Sequence, residues 1–261
     1  MKPVASSLWR SPLPVGWQER LDRLAASAQQ TRVFFRADDI AVADERFQQM
    51  MALFRRYEVP LCLAVVPAWM DQGRLAALQR FDLADPLWCW HQHGFAHQNH
   101  ERTGRKCEFG SSRSAGEVRD DLQAGRTILE DLFGECFTPV FTPPWNRCTG
   151  LVLDMLPSLG YRAVSRFRDA VPACDCLPDL APSVDLHTGK EPDPARAWSS
   201  LWDSISRGLE SGLLGFMLHH ERMNAQAFGF LDGLLHCVSS LNLCHFGDLL
   251  DDETKEFSCF P

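Results

Sequence analysis

The residues best suited to chemistry in this chain lie in the stretch 88–100, WCWHQHGFAHQNH. Four of the nine histidines of the chain fall within it, and two of these, His93 and His97, are four residues apart. On a helical turn that spacing places both imidazoles on one face, where they can bind a single metal ion. The alternative is a histidine-rich loop with rings packed into the core. Trp88-Cys89-Trp90 predicts a buried strand directly before the histidines.

Two adjacent aspartates, Asp38 and Asp39, follow the apolar stretch 32–37. Neighbouring carboxylates repel each other unless a cation lies beside them, so one can bind a metal ion while the other stays available as a base. The alternative is a helix N-cap with a solvated neighbour. One carboxylate and two imidazoles would give a zinc-type ion three protein ligands and an open position for water, which is the pattern of catalytic zinc sites.

The chemistry that this set of residues predicts is hydrolysis. Water bound by such an ion is acidified and attacks as a nucleophile. The free aspartate can accept its proton, and a histidine elsewhere can donate one to the leaving group. His219 is the candidate donor because it follows the apolar stretch 212–218, and the alternative is a histidine that packs in the core.

The elements that must position these residues alternate between strands and helices. Apolar stretches predict strands over 32–37, 60–66, 87–90, 137–142, 162–165, 183–187, 212–218 and 241–246. Helical periodicity and capping signals predict helices over 17–29, 44–57, 71–80, 114–132, 150–159, 195–209 and 225–239. This alternation predicts a parallel sheet, with a closed or nearly closed barrel as first choice and an open doubly wound sheet as second. In a barrel the loops after the strands form the active site, and the candidate residues follow predicted strands.

Length and composition limit the class of protein. The 261 residues predict one domain, with an N-terminal arm and helix over 1–30 and the barrel core over 31–250. A net charge of −8 argues against a nucleic-acid partner and suits a small-molecule or oligosaccharide substrate better. No stretch has the length and apolarity of a signal peptide or a membrane span, which predicts a cytoplasmic protein without a membrane partner. The ten cysteines are therefore expected to stay reduced.

These motifs, taken in chain order, resemble those of the polysaccharide deacetylases, the NodB-like domain of carbohydrate esterase family four. The resemblance covers residues 32–250 and rests on Asp38-Asp39, on His93 and His97, on Thr142-Pro143-Pro144-Trp145 and on Leu218-His219. It implies that Asp38 is the general base and His219 the general acid. It also implies that Asp39, His93 and His97 hold the metal ion. The backbone N–H of Trp145 would then bind the oxyanion.

Two departures from the family's pattern stand in the sequence. Thr142 occupies the place of the arginine that usually opens the third motif, so Arg147 or Arg36 is expected to tune the base instead. The fourth motif, an Asp-Trp element that supports the catalytic histidine, has no clear copy. Asp169 or Asp185 could replace it.

The resemblance also implies a fold and an activity. The fold is a distorted (β/α)7-type barrel with mostly parallel strands. The activity is that of a metal-dependent hydrolase, with one divalent ion and zinc preferred, that removes an acetyl or similar acyl group from a sugar or a related amide or ester. The alternative is a non-catalytic relative that binds a sugar or a partner through the same cleft, and the oligomeric state stays open. Further candidates for substrate contacts are Pro144, Asn146, Arg147, Glu108 and His187.

Overall fold

Eight strands and seven α-helices are found in residues 5–28 and 30–251, which are the parts of the chain that the computed structural model describes. The strands are β1 (Arg32–Ile40), β2 (Leu61–Val65), β3 (Trp88–His93), β4 (Phe137–Thr142), β5 (Ala163–Val164), β6 (Val184–Asp185), β7 (Leu213–Leu218) and β8 (Asn242–Leu243). The helices are α1 (Trp17–Ser27), α2 (Glu45–Arg56), α3 (Gln72–Gln79), α4 (Ala115–Phe133), α5 (Gly150–Met155), α6 (Pro194–Glu210) and α7 (Ala225–Val238). All the predicted helices and strands are therefore present, although several end at other residues than predicted.

The difference between predicted and observed elements that matters most for the site is the end of β3. The strand was predicted to end at residue 90, but it continues through His91–His93. The prediction of a helical turn that carries both candidate ligands is therefore wrong. His93 ends a strand, and His97 lies in the loop that follows. The strand can continue because its polar side chains find partners inside the fold: the hydroxyl of Tyr161 donates to Gln92 Oε1 at 2.6 Å.

The strands of the sheet are parallel, as predicted. The strand order is β5-β4-β3-β2-β1-β7-β6, and β8 also pairs with β1. Parallel pairing is found for β1 with β7 and β8, for β3 with β4, for β4 with β5, and for β6 with β7. Two registers matter for the candidate site. Ala37 pairs with Leu218, and His93 pairs with Thr142, so the residues after each of these positions leave neighbouring strands together.

The described residues group into two compact units. The first contains the described residues up to Asp38, Val42–Leu61 and Pro182–His245, and the second contains Asp39–Ala41, Cys62–Ala181 and the described residues from Phe246. The boundary passes through β1, so the bonded neighbours Asp38 and Asp39 are counted in different units. The expectation of a single domain over 1–261 stays a prediction.

Each unit has its own aromatic core. In the first, Phe35 of β1 stacks on Phe216 of β7, with ring centroids 4.9 Å apart. The N-terminal arm contributes Trp9, which is buried and donates its indole N–H to the carbonyl of Leu186 at 2.6 Å. In the second unit α4, α5 and the ends of β4 and β5 enclose an apolar cluster that includes Phe109, Leu122, Phe141, Leu156 and Val164.

The start of α4 is determined by residues at its own N-terminus. Ser114 accepts a hydrogen bond from the backbone N–H of Glu117 at 3.3 Å, and Glu117 accepts one from the backbone N–H of Ser114 at 2.8 Å. These two bonds form a capping box at the start of the helix that was predicted over 114–132, and such a cap contributes about 1 kcal/mol. Neither α4 nor any other helix in the described part of the chain has the length and apolarity to cross a membrane.

Candidate active site

Three side chains that can ligate a metal ion meet in the second unit: Asp39 at the end of β1, His93 at the end of β3, and His97 in the following loop. Asp39 Oδ1 lies 3.2 Å from His93 Nε2 and 3.1 Å from His97 Nε2. One candidate ligand atom of each residue lies within 4.8 Å of the others. Among the described residues, this is the one group of three or more histidine, cysteine or acidic side chains with such a spacing. We call it the triad.

The spacing of the triad fits a zinc-type ion. Ligand atoms that each lie about 2.05 Å from a tetrahedral zinc ion are about 3.3 Å from one another. The two pairs of atoms measured here are 3.2 and 3.1 Å apart. His93 Nδ1 lies 3.0 Å from the carbonyl oxygen of Thr142. Because a carbonyl only accepts, this contact keeps the proton on Nδ1 and leaves the lone pair of Nε2 for a metal ion.

The backbone around the triad adopts the left-handed region at residues that are not glycine. Asp39, His97, Trp145 and Asn146 have φ angles of 63°, 54°, 56° and 58°. Each such residue costs about 1–3 kcal/mol and persists only where its surroundings enforce the conformation. Two of the four are candidate metal ligands. The surrounding structure therefore holds these residues in a strained backbone conformation that orients their side chains towards one another.

Glu108 fixes the loop that carries His97. Its side chain is fully buried, and it accepts three backbone N–H bonds from residues 95–98 at distances between 2.7 and 3.3 Å. Burial raises the pKa of Glu108, although the same three hydrogen bonds act to lower it. The loop can approach so closely because residue 94 is glycine: a Cβ on Gly94 would collide with Glu108 and Pro144, and its φ is +59°. Glu108 was a candidate for substrate contact, and a supporting role of this kind was not predicted.

The segment after β4 lies against the triad. The carbonyl oxygen of Thr142 accepts from the backbone N–H of Gly94 at 3.0 Å, in addition to its contact with His93. The hydroxyl of Thr142 lies 3.0 Å from His91 Nε2. The Trp145 ring meets the His97 ring edge to face, with centroids 4.6 Å apart. The residue that departs from the arginine of the third motif thus braces the strand that carries His93.

The other candidates near this segment have distinct positions. Pro144 is buried beside Gly94, and Asn146 is half-buried. Arg147 donates through Nη1 to the carbonyl oxygen of Lys106 at 3.1 Å. The Lys106 ammonium lies 5.8 Å from the centroid of the Trp145 ring. These residues therefore border the triad without belonging to it.

Asp38 is held in the first unit by Arg36. Arg36 Nε donates to Asp38 Oδ1 at 2.8 Å, and Arg36 Nη2 donates to Asp38 Oδ2 at 2.9 Å. Both side chains are buried, at 0% and 3% exposed. Of the two arginines proposed to tune the base, Arg36 makes this bidentate contact, whereas Arg147 is bound to a main-chain carbonyl.

His219 follows β7, just as Asp38 follows the register partner of Leu218 on β1. The backbone N–H of His219 donates to His187 Nδ1 at 3.0 Å, so that nitrogen of His187 carries no proton. Burial lowers the pKa of His187 well below its usual value, and the neighbouring His219 acts in the same direction. His187 is 1% exposed and its ring lies 5.9 Å from that of Trp9, so its observed contacts are within the protein.

Asp185 is the aspartate that contacts this region. Its Oδ1 accepts from the backbone N–H groups of His187 at 2.9 Å and Thr188 at 2.8 Å, and Oδ2 accepts from the Thr188 hydroxyl. It therefore holds the turn that presents His187 to the main chain of His219. Asp169, the other candidate for the missing fourth motif, lies in the second unit with a left-handed φ of 63°.

Solved structures similar to this chain include a polysaccharide deacetylase, an acetyl xylan esterase and a pseudoenzyme. A protein from Mycobacterium smegmatis assigned as a polysaccharide deacetylase is 12% identical, and the match covers 98% of this chain and 95% of that one with a TM-score of 0.65. A family 4 acetyl xylan esterase from Clostridium thermocellum, solved in complex with a cobalt ion, is 10% identical over 85% of this chain and 92% of that one, with a TM-score of 0.53. A CE4 family pseudoenzyme from Bacillus anthracis is 13% identical over 86% of this chain and 66% of that one, with a TM-score of 0.53.

At the level of sequence, no family model and no curated protein matches the chain. The likeness to the solved structures is therefore a likeness of fold. It agrees with the motif order in the sequence and confirms the predicted class, a distorted (β/α)7-type barrel with mostly parallel strands. The chain has the fold of the polysaccharide deacetylases.

Proposed function

We propose that this chain is a divergent polysaccharide deacetylase, a hydrolase that removes an acetyl or similar acyl group from a sugar or a related amide or ester. The observation that carries the proposal is the triad of Asp39, His93 and His97 in a chain with the deacetylase fold. A scattered set of histidines would not place three ligand atoms at this spacing. The substrate class that this implies is a small molecule or an oligosaccharide.

The triad would hold one divalent ion, and its two imidazoles and one carboxylate are a donor set that zinc prefers. A bound ion of this kind supplies a Lewis acid, which lowers the pKa of water towards neutral and polarises the acyl carbonyl. The contact between His93 Nδ1 and Thr142 supports this assignment because it orients the ring for ligation through Nε2.

Asp38 would accept a proton from the attacking water. Arg36 supports this role in two ways: its guanidinium favours the ionised carboxylate, and its bidentate contact fixes the orientation of both oxygens. A base that is charged and fixed before substrate arrives needs no rearrangement during the reaction.

His219 would donate a proton to the leaving group, and the backbone N–H of Trp145 would bind the oxyanion. The hydrogen bond from the His219 backbone to His187 supports the first assignment, because it fixes the main chain from which the imidazole extends. The left-handed conformation of Trp145 supports the second, since strained residues of this kind cluster where a functional group must be presented.

A non-catalytic, sugar-binding role is the second candidate. Thr142 stands where the family's third motif has an arginine, and a CE4 pseudoenzyme is among the proteins that share the fold. The triad favours the catalytic candidate, because two imidazoles and one carboxylate with an open position are the pattern of catalytic zinc sites. Tight sugar binding without product release by metal-replete protein would decide for the second candidate.

The test combines metal analysis with a panel of acetylated amino sugars and acetyl esters. The purified protein should contain about one divalent ion per chain and release acetate from at least one substrate. Asp38→Asn should retain the ion and lose turnover. Asp71→Asn makes the same chemical change at the exposed N-cap of α3 and should leave both unchanged, since asparagine also caps helices. Turnover that survives in Asp38→Asn would remove Asp38 from the mechanism.

A further inference from the structure

A group of cations borders the triad in a chain whose net charge is −8. The segment 101–113 has four cations and two carboxylates. Arg113 pairs with Asp121 on α4 at 2.6 Å. The other three cations are exposed: Arg102, Arg105 and Lys106.

The two carboxylates of the segment are occupied by other groups. Glu101 accepts hydrogen bonds from the backbone N–H and the hydroxyl of Ser112, at 3.0 and 2.7 Å. Glu108 is buried and accepts from the backbone of residues 95–98. Within the described part of the chain, no carboxylate therefore pairs with the charge of Lys106 or Arg147.

Lys106 of this segment and Arg147, which follows β4, are placed by contacts that lead to the triad. The Lys106 ammonium lies 5.8 Å from the centroid of the Trp145 ring, whose centroid is in turn 4.6 Å from that of His97. Arg147 donates to the main-chain oxygen of Lys106, which holds its guanidinium beside the main chain of that residue. One aromatic ring therefore separates the Lys106 ammonium from a candidate metal ligand.

We propose that Lys106 and Arg147 form a subsite for an anionic group, a carboxylate or a phosphate, on the sugar or amine part of the substrate. The inference rests on the proposed function, because it assumes that the acyl group binds at the triad. The guanidinium can bind an oxyanion through two N–H groups, and the ammonium adds a point charge. The half-buried ring of Trp145 offers an apolar surface between this subsite and the triad. A local positive region on an acidic protein also raises the local concentration of anionic substrate.

The test compares N-acetylglucosamine with its 6-phosphate and with N-acetylmuramate, which separates phosphate from carboxylate recognition. The measured quantity is the ratio of kcat/KM for each anionic substrate to that for the neutral one. Lys106→Gln and Arg147→Gln should each lower this ratio about three- to fivefold, the effect of an exposed ion pair. Arg147→Lys should keep most of it, because the charge remains. Arg119→Gln removes an exposed cation from α4 and is the matched control. Higher salt should lower the ratio of the unmodified protein.

A second measurement separates this inference from the proposed function. Glucosamine and glucosamine 6-phosphate, which cannot be deacetylated, are titrated into metal-loaded protein, and their Kd values are compared. Charge-dependent binding that falls in Lys106→Gln, together with no turnover of any substrate, supports the subsite and overturns the proposed function. Turnover with the same ratio of kcat/KM for anionic and neutral substrates in all variants supports the proposed function and overturns the subsite. Neither turnover nor charge-dependent binding overturns both.

Discussion

The two aspartates at the end of β1 are bonded neighbours in opposite surroundings. Asp38 is buried, and both of its oxygens are bound by the buried guanidinium of Arg36. Asp39 is 21% exposed at its side chain, has a left-handed φ of 63°, and directs one oxygen at two imidazoles. The carboxylate of Asp38 thus has its counter-charge built into the protein, whereas that of Asp39 faces two imidazole nitrogens.

The region around Asp38 and the region around Asp39 therefore differ in whether a positive charge is already present. In the region of Asp38, Arg36 supplies the counter-charge of the carboxylate, and His187 accepts the backbone N–H of His219. The region of Asp39 gathers three ligand atoms within 4.8 Å and holds two of them on strained backbone. Strain is retained when another interaction depends on it. A bound cation would supply that interaction for the second region, while the first can hold its geometry without one.

The largest expected effect comes from removal of a candidate metal ligand. His93→Ala should abolish metal binding and lower acetate release by more than about 10⁴-fold, because without the ion the pKa of the attacking water is no longer lowered. Metal content by elemental analysis and acetate release measure the two effects. His100→Ala, a half-buried histidine of the same stretch, should retain both. Full metal occupancy in His93→Ala would show that the triad is not the metal site.

The reverse experiment removes the counter-charge from Asp38. Arg36→Met leaves a buried carboxylate without its ion pair, which should lower the free energy of unfolding by about 3–5 kcal/mol. Urea unfolding measures the loss, and the metal content of the folded protein should not change. The double variant Arg36→Met/Asp38→Asn removes the charge as well and should recover part of the stability. If it recovers none, the loss comes from packing around Arg36 rather than from the unpaired charge.

Glu108→Gln tests whether the loop of His97 is held by a carboxylate. The amide keeps one acceptor oxygen and turns an NH₂ group towards backbone N–H groups, which should cost about 1–3 kcal/mol of unfolding free energy. A less ordered His97 should weaken metal binding about tenfold, as expected for supports of metal ligands. Glu117→Gln changes the capping box of α4 to its other common form and should affect neither quantity. Equal loss in both variants would make Glu108 an ordinary stabilising contact.

Most of the fold could be predicted because its strands are apolar and its helices carry capping signals. β3 is the instructive exception, since His91–His93 are polar and look like the start of a loop or helix. Their partners are distant in sequence: Thr142 for the first and third, Tyr161 for Gln92. A local pattern holds no information about such partners, so the end of this strand could not be predicted from its own residues.

The candidate site could be predicted to a similar extent. The motifs pointed to Asp39, His93 and His97, but two arginines remained open as partners of Asp38. One signal was available: residues two apart in a strand lie on one face, which favours Arg36 over Arg147. The support from Glu108 could not be predicted, because it depends on where residues 101–113 fold back.

The smallest effect concerns His187 and the pH dependence of the first region. Its pKa is lowered in the folded protein by burial, so as pH falls below about 6.5 the unfolded chain takes up the proton first. The stability that neutral His187 contributes is fully present above pH 6.5 and is lost as pH falls towards the folded pKa, by about 1 kcal/mol between pH 6.5 and 5.5.

His187→Asn keeps an acceptor for the His219 N–H and should remove the part of the pH dependence of stability that His187 causes. His187→Phe should remove it too, with an added loss of about 1–3 kcal/mol at every pH because a buried N–H loses its acceptor. Urea unfolding at a series of pH values gives both quantities. An unchanged slope in both variants would mean that other groups cause the acid sensitivity, and that the region of Asp38 and His219 is not protected by a neutral His187.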